Sequence, residues 1–188
     1  MSSLLAEVVL ARSDRKLQFN NHGKFKIVQL TDMHYGEGDE KDAKNDAAIE
    51  AILGFEKPDF VANTGDVISG YMWNGEDPNW AQIHYSKMMN KLSELGYNWG
   101  STAGNHDSQA DLTRQQISDL DVSFDMSMTK PNAEPNLTHA FNYMLPIYDE
   151  NGEDIATRLW FLDTGDHGCL GMSGYDCVHP DQVDWFRQ

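Results

Sequence analysis

Short apolar runs alternate with longer amphipathic stretches from Lys24 onward, and their spacing predicts strand, helix, strand, helix, strand. Phe25 to Leu30 reads as a first strand, ending in a polar loop from Thr31 to Asp42. From Asp42, Ala48, Ile52 and Phe55 recur at helical spacing, with Ile49 and Leu53 beside them. Lys57-Pro58-Asp59 ends that helix, because a proline disfavours helical geometry in the residue before it. Phe60 to Thr64 is the second strand, and a Gly-, Asn- and Trp-bearing loop runs from Ser69 to Asn79. Trp80, Ile83, Met88, Leu92 and Leu95 mark a second helix, closed by Gly96 as a C-terminal cap, and Tyr97 to Ala103 is the third strand. Strands alternating with helices of this length imply parallel βαβ units with right-handed crossovers.

The pattern then changes. Leu112, Thr113, Ile117 and Leu120 suggest a modest helix, and Thr129 to Pro135 is a proline-broken loop. Leu137 to Tyr148 and Ile155 to Leu162 flank Asn151-Gly152, a strong hairpin signal. That alternation suits an antiparallel pair added to the parallel sheet. Asp163 to Val178 is a Gly-rich loop, and His179-Pro180-Asp181-Gln182 opens a last helix. The fold class is therefore α/β, with residues 1–16 an N-terminal extension and 17–188 one domain.

Composition narrows the reading. The chain has 188 residues with 40% hydrophobic content, enough for one substantial core. Its net charge of -16, from 30 acidic against 14 basic residues, repels phosphate backbones and argues against nucleic-acid binding and a nuclease. Nothing approaches a membrane span, and Leu4 to Leu10 carries Glu7, which makes it a poor signal peptide. A soluble protein is expected, the cytoplasm being favoured. Cys169 and Cys177 could pair in an oxidising compartment or stay thiols, and Asn136-Leu137-Thr138 is a glycosylation sequon that matters only if the chain is secreted.

Three polar clusters follow the three strands: Asp32-Met33-His34, Gly65-Asp66 and Gly104-Asn105-His106-Asp107. Each alone is a polar turn. Parallel strands, however, deliver all three to one edge of a sheet, where open α/β folds place their sites. Carboxylate, imidazole and amide oxygen are mixed hard and borderline ligands, suited to Mn, Fe, Zn or Mg. A carboxylate such as Asp66 can bridge two ions, Asn105 adds a ligand without further charge, and His106 can donate a proton or stabilise charge beside the substrate.

In their order and spacing these clusters resemble the first three motifs of the calcineurin-like metallophosphoesterases. Gly23 to Gly36 and Leu159 to Gly165 bring the resemblance closer to the purple-acid-phosphatase-like branch. It implies a layered sandwich of mixed β-sheets flanked by helices and a phosphoesterase acting on phosphomonoesters, or on a phosphoprotein. It also implies two metal ions: Asp32 and His34 on the first, Asp66 on both, Asn105 on the second. His106 would be catalytic, and Asp107 would orient it or the loop. Two departures stand out. Ser69 occupies the position where the purple enzymes carry a tyrosine, and the later Gly-His and Gly-His-x-His motifs are absent. The alternative is therefore a truncated or degenerate copy that acts as a binding module, with a protein partner covering the incomplete sheet.

The other histidines read more plainly. His84 and His139 are taken as packing or surface residues, on a helix and a strand respectively. His22 and His179 have no context that favours function, and His167 lies in a loop that could face the site. Tyr71, Trp73 and Trp80 could wall a substrate pocket, although Trp-rich segments more often pack.

Overall fold

The computed structural model describes residues 15–188. The Leu4–Leu10 segment, and most of the expected N-terminal extension, lie outside the described residues. A parallel sheet is built from β2 (Ile27–Leu30), β3 (Phe60–Asn63) and β4 (Trp99–Ser101). The crossovers are α1 (Asp39–Glu56) and α2 (Trp80–Glu94). A second three-stranded sheet holds β1 (Leu17–Gln18), β5 (Tyr143–Tyr148) and β6 (Ile155–Phe161), with β1 parallel to β5 and β5 antiparallel to β6. Helices α3 (Arg114–Ser123) and α4 (Pro180–Phe186) follow, with short 3-10 turns at Gly70–Met72 and Cys169–Gly171. The result is the expected α/β arrangement of mixed sheets and helices.

Each strand of the parallel sheet is shorter than its apolar run, for local reasons. The Lys26 amide is taken by the Asp59 carboxylate at 2.7 Å, so β2 starts at Ile27. The Tyr97 amide donates to Leu92 O at 3.0 Å and closes α2, so β4 starts later. Gly96, at φ +79°, supplies the left-handed residue that this closure requires.

Two expectations are corrected. The hairpin does not extend the parallel sheet, because β5 pairs with β1 and forms a separate sheet. The core face of α1 is the row Asp42, Ile49 and Leu53, whereas Ile52 and Phe55 face outward, Phe55 being 84% exposed. Asp46 on that inner side accepts from the Tyr35 hydroxyl at 2.7 Å, so the buried stripe is partly polar and was misread from apolar spacing alone. On α2, Ile83 likewise lies outside, while Tyr85, Met88, Met89 and Leu92 are buried.

The sheets meet around Gly100. A Cβ there would lie 3.0 Å from the ring tips of Phe60 and Phe161 and from the Tyr143 hydroxyl, so a larger residue would require these side chains to give way. Tyr143 stacks on Phe161 at 4.6 Å, and its hydroxyl donates to Ser101 O at 2.8 Å. Beneath them Asp121, fully buried, accepts from Tyr85, Ser101 and Ser127 hydroxyls. Four polar groups are thereby satisfied in one place, as burial demands.

Candidate metal centre

The parallel strands deliver the three clusters to one rim. One donor atom from each of Asp32, His34 and Asp66 lies within 4.8 Å of the others. All three residues have positive φ, at 56°, 53° and 51°. Non-glycine residues take that conformation at a cost, which persists where the surroundings enforce it. The enforcement is visible in the backbone. The Asp32 amide donates to Gly65 O and the His34 amide to Asp66 O, both at 3.0 Å, so the first two loops are zipped together. The third loop is brought in by a close approach: a Cβ on Gly65 would lie 2.2 Å from Gly104 N, and one on Gly104 2.2 Å from Asp66 Oδ1.

Each donor is aimed by a neighbour. The Ser69 hydroxyl holds His34 Nδ1 at 2.8 Å and leaves Nε2 facing the cluster. Ser69 is in turn held by Glu37 at 2.8 Å, and Glu37 also receives the Tyr71 hydroxyl. Lys41, followed by the two hydroxyls, pulls the Glu37 carboxyl down to about 2. Orienting a ligating imidazole through its other nitrogen is how metal sites fix ring and tautomer. Asp32 is open to solvent and its carboxylate accepts from Thr31 at 2.6 Å. Asp66 is buried, and its Oδ1 accepts the His106 amide at 2.8 Å.

A cavity of about 320 Å³ opens over this rim. Asp32, Asp66 and Asn105 line it together with Gly104, Gly165 and Asp176. His106 stands at the side, its ring 5.5 Å from that of His34 and 4.8 Å from that of Tyr71. His106 Nδ1 is paired with Gln109 Oε1 at 2.8 Å. Two carboxylates and an imidazole, with Asn105 on the cavity lining, make a donor set that suits a divalent cation.

Asp107 lies among the loop backbones. Its carboxylate is 1% exposed and accepts the amides of Asp66 at 2.9 Å, Ile68 at 3.1 Å and Gly104 at 2.8 Å. It therefore positions the loops and does not reach the cavity; burial pushes it up to about 6, against the pull of the Gly104 and Ile68 amides. His167 is exposed and lies apart from the cavity lining. Trp80 packs into the core beside His84, and Trp73 packs against the core, whereas Tyr71 is half exposed beside His106. Sequence reasoning missed Ser69, Glu37 and Gln109 as orienting groups, and Arg114, whose guanidinium binds Gly104 O at 2.8 Å.

A sequence model of the family described as calcineurin-like phosphoesterase matches residues 25–188. The chain belongs to this family. Members typically bind divalent metals, which agrees with the donor set at the rim. The chain is 27% identical to "Probable inactive purple acid phosphatase 29" of Arabidopsis thaliana, over 97% of its own length and 51% of that protein. It is 28% identical to "Phosphatase DCR2" of Saccharomyces cerevisiae, over 89% of its length and 32% of that protein. A third relative, "Probable inactive purple acid phosphatase 14" of Arabidopsis thaliana, is 26% identical over 92% and 48%. The chain thus spans about a third to a half of these relatives. Among the described residues no helix is long and apolar enough to cross a membrane. Cys169 and Cys177 are joined in a disulfide, one of the two states their spacing left open.

Proposed function

We propose that this domain is the part of a metal-dependent phosphoesterase that carries the first metal ligands and acts on phosphomonoesters through a two-ion centre. The observation that carries the reading is the convergence of Asp32, His34 and Asp66 within 4.8 Å, in enforced left-handed backbone, beneath an open cavity. In this reading Asp32 and His34 would hold one ion, Asp66 would serve both, and Asn105 would hold the second. Bound there, divalent ions would supply Lewis-acid polarisation of a phosphoryl group and activation of a water. The protein groups do the rest. Ser69 keeps His34 Nδ1 occupied, so the ring presents Nε2. Gln109 Oε1 accepts from His106 Nδ1, so the ring gives a proton from Nε2 to the leaving oxygen as the imidazolium, protonated on both nitrogens. The chain's strong negative charge favours a compact phosphomonoester over a polyanionic nucleic acid.

A second reading, a degenerate site that binds rather than hydrolyses, is favoured by the printed names of two relatives, both "Probable inactive". The readings part on one measurement. The protein is stripped with a chelator, its metal content checked by elemental analysis, and aryl-phosphate hydrolysis followed as Mn or Zn is restored. Activity that returns with metal and disappears in Asp66→Ala supports the enzyme. Full activity in metal-free protein sinks the metal reading, and metal uptake without turnover supports the binding module. The disulfide and the exposed sequon at Asn136 weigh towards an oxidising compartment rather than the cytoplasm.

A further inference from the structure

We propose that His139, Asp176 and His179 form a separate site for a divalent ion of the zinc class, beside the cavity but independent of the strand-end cluster. The three come from different segments. His139 precedes β5, Asp176 lies in the loop after β6, and His179 immediately precedes α4. His139 Nε2 lies 3.0 Å from Asp176 Oδ2, and His179 Nε2 lies 2.9 Å from Asp176 Oδ1. One donor atom of each lies within 4.8 Å of the other two. Ligands about 2.0–2.2 Å from a tetrahedral zinc stand roughly 3.3 Å apart, so only a small outward shift would admit an ion.

A plain hydrogen-bonded His–Asp–His cluster accounts for half of this geometry. His179 is well directed at Asp176. His139 Nε2 is not: it is buried and has no hydrogen-bond partner, despite its nearness to Asp176 Oδ2. A buried nitrogen left unpaired is costly, and native structures seldom leave one without a reason. A cation placed between the imidazole and the carboxylate would engage both. The side chains of His139, Asp176 and His179 are 17%, 6% and 20% exposed, so the site is largely dehydrated.

The backbone supports the same assignment. His139 is not on a strand, as its sequence context suggested, but in a bend at φ +66°. Gly165 leaves the space: a Cβ there would lie 2.4 Å from Asp176 Oδ2 and 2.6 Å from His139 Nε2. Two imidazoles and one carboxylate suit zinc better than calcium or magnesium, which prefer oxygen ligands. The adjacent Cys169 and Cys177 are not available as ligands, being bonded to each other. Since Gly165 and Asp176 line the cavity, an ion here would pin its wall.

Zinc is the probe for the test. In the Asp32→Asn/Asp66→Asn variant, which empties the strand-end cluster, one equivalent of zinc should survive dialysis. Adding His139→Gln and His179→Gln should abolish it. Unchanged retention after the histidine substitutions, or no retained zinc before them, overturns the site. If the Asp variant binds as much zinc as the wild type, the strand-end centre fails while this site stands. Wild-type protein with 15N-labelled histidine provides a readout that needs no substitution. Zinc should shift the ring nitrogens of His139 and His179 to metal-bound values; resonances of those two that stay unmoved at saturating zinc refute the proposal.

Discussion

Arg114 is clamped onto Asp163: its Nε donates to both carboxylate oxygens at 2.9 Å, across 49 residues of chain. The same guanidinium donates from Nη1 to Gly104 O and from Nη2 to Gly165 O, each at 2.8 Å, and to Ala103 O at 3.3 Å. Arg114 begins α3, Gly104 follows the end of β4, and Asp163 lies just past β6. One side chain therefore joins the rims of the two sheets directly behind the cavity.

Removing that guanidinium should be severe. Asp163 is fully buried and would be left charged without its partner, which costs about 3–5 kcal/mol. Arg114→Ala is expected to lose stability in that range by urea unfolding. Arg114→Lys keeps the charge but not the planar fork, and should fall between it and the wild type. A loss below 1 kcal/mol in Arg114→Ala, a magnitude usual for exposed pairs, would contradict the clamp.

What was legible in the sequence follows from what is local. The continuous apolar runs gave three strands, the interleaved periodic stretches gave two helices, and Asn151-Gly152 gave the hairpin, with Gly152 at φ +72°. The destination of the hairpin was not legible, because its partner β1 is two residues long and sets the sheet by tertiary pairing. At the rim, the residue types and their strand-end positions brought Asp32, His34 and Asp66 together on paper. The groups that orient His34 and His106 did not show, since Ser69 and Gln109 act through single side-chain bonds. Thr113 to Gln116 did carry a signal that was passed over, the capping box that starts α3 and sets Arg114 in place. His139 and His179 meet only through folding, from segments with no shared pattern.

Asp107→Asn should destabilise the fold and disturb the rim together. One amide oxygen cannot replace a carboxylate that accepts three backbone amides, and the new amide group would face donors. Hydrogen bonds to charged groups contribute about 1.5–3 kcal/mol each, so a loss of about 2–4 kcal/mol is expected in denaturant unfolding. Weakened metal uptake should accompany it, because the Asp66 backbone is among the groups released. A variant of wild-type stability that loses turnover alone would give Asp107 a direct chemical role instead.

His84 gives a pH dependence of defined sign. Burial, and then the nearby Lys87, lowers its pKa below the ordinary value of 6.5, while Asp42 and Asp39 pull weakly the other way. The unfolded chain therefore binds the proton more readily than the folded one. The stability this contributes is present above about pH 6.5 and is lost as pH falls through the lowered folded value. His84→Gln cannot titrate, so the gap between its urea midpoint and the wild type's should change on going from pH 7.5 to 5, with the wild type losing more. Parallel pH profiles for the two would remove His84 as a contributor.

The Cys169–Cys177 bond closes a short loop that helps form the cavity wall. Constraining the unfolded chain over a separation of 8 residues is worth roughly 2.5 kcal/mol on the chain-entropy model. Reduction should lower stability by about that amount and expose the loop from Asp163 to Val178 to proteolysis before the rest of the domain. Cleavage that begins elsewhere, at an unchanged unfolding midpoint, would show that the bond is not holding this wall.

Ligand and proton-donor roles at the rim should separate in variants of the full protein. Asp66 is buried at the convergence of the loops, and its carboxylate lies within 4.8 Å of donor atoms of Asp32 and His34. Asp66→Ala should therefore lower metal content and rate together. It also frees the His106 amide, so part of the loss will be geometric. Asp66→Asn, which keeps an oxygen for that amide, isolates the loss of charge. The His106 ring meets the cluster through its contact with His34 and is held by Gln109, while its backbone amide donates to Asp66 Oδ1. His106→Ala should leave metal content nearly unchanged while turnover falls about 10²–10⁴-fold, the range for a general acid. Gln109→Ala, which releases Nδ1 without removing the ring, should give a smaller loss of turnover with metal content unchanged. Equal metal loss in His106→Ala and Asp66→Ala would move His106 into the ligand set and leave the leaving oxygen without a proton donor at this rim.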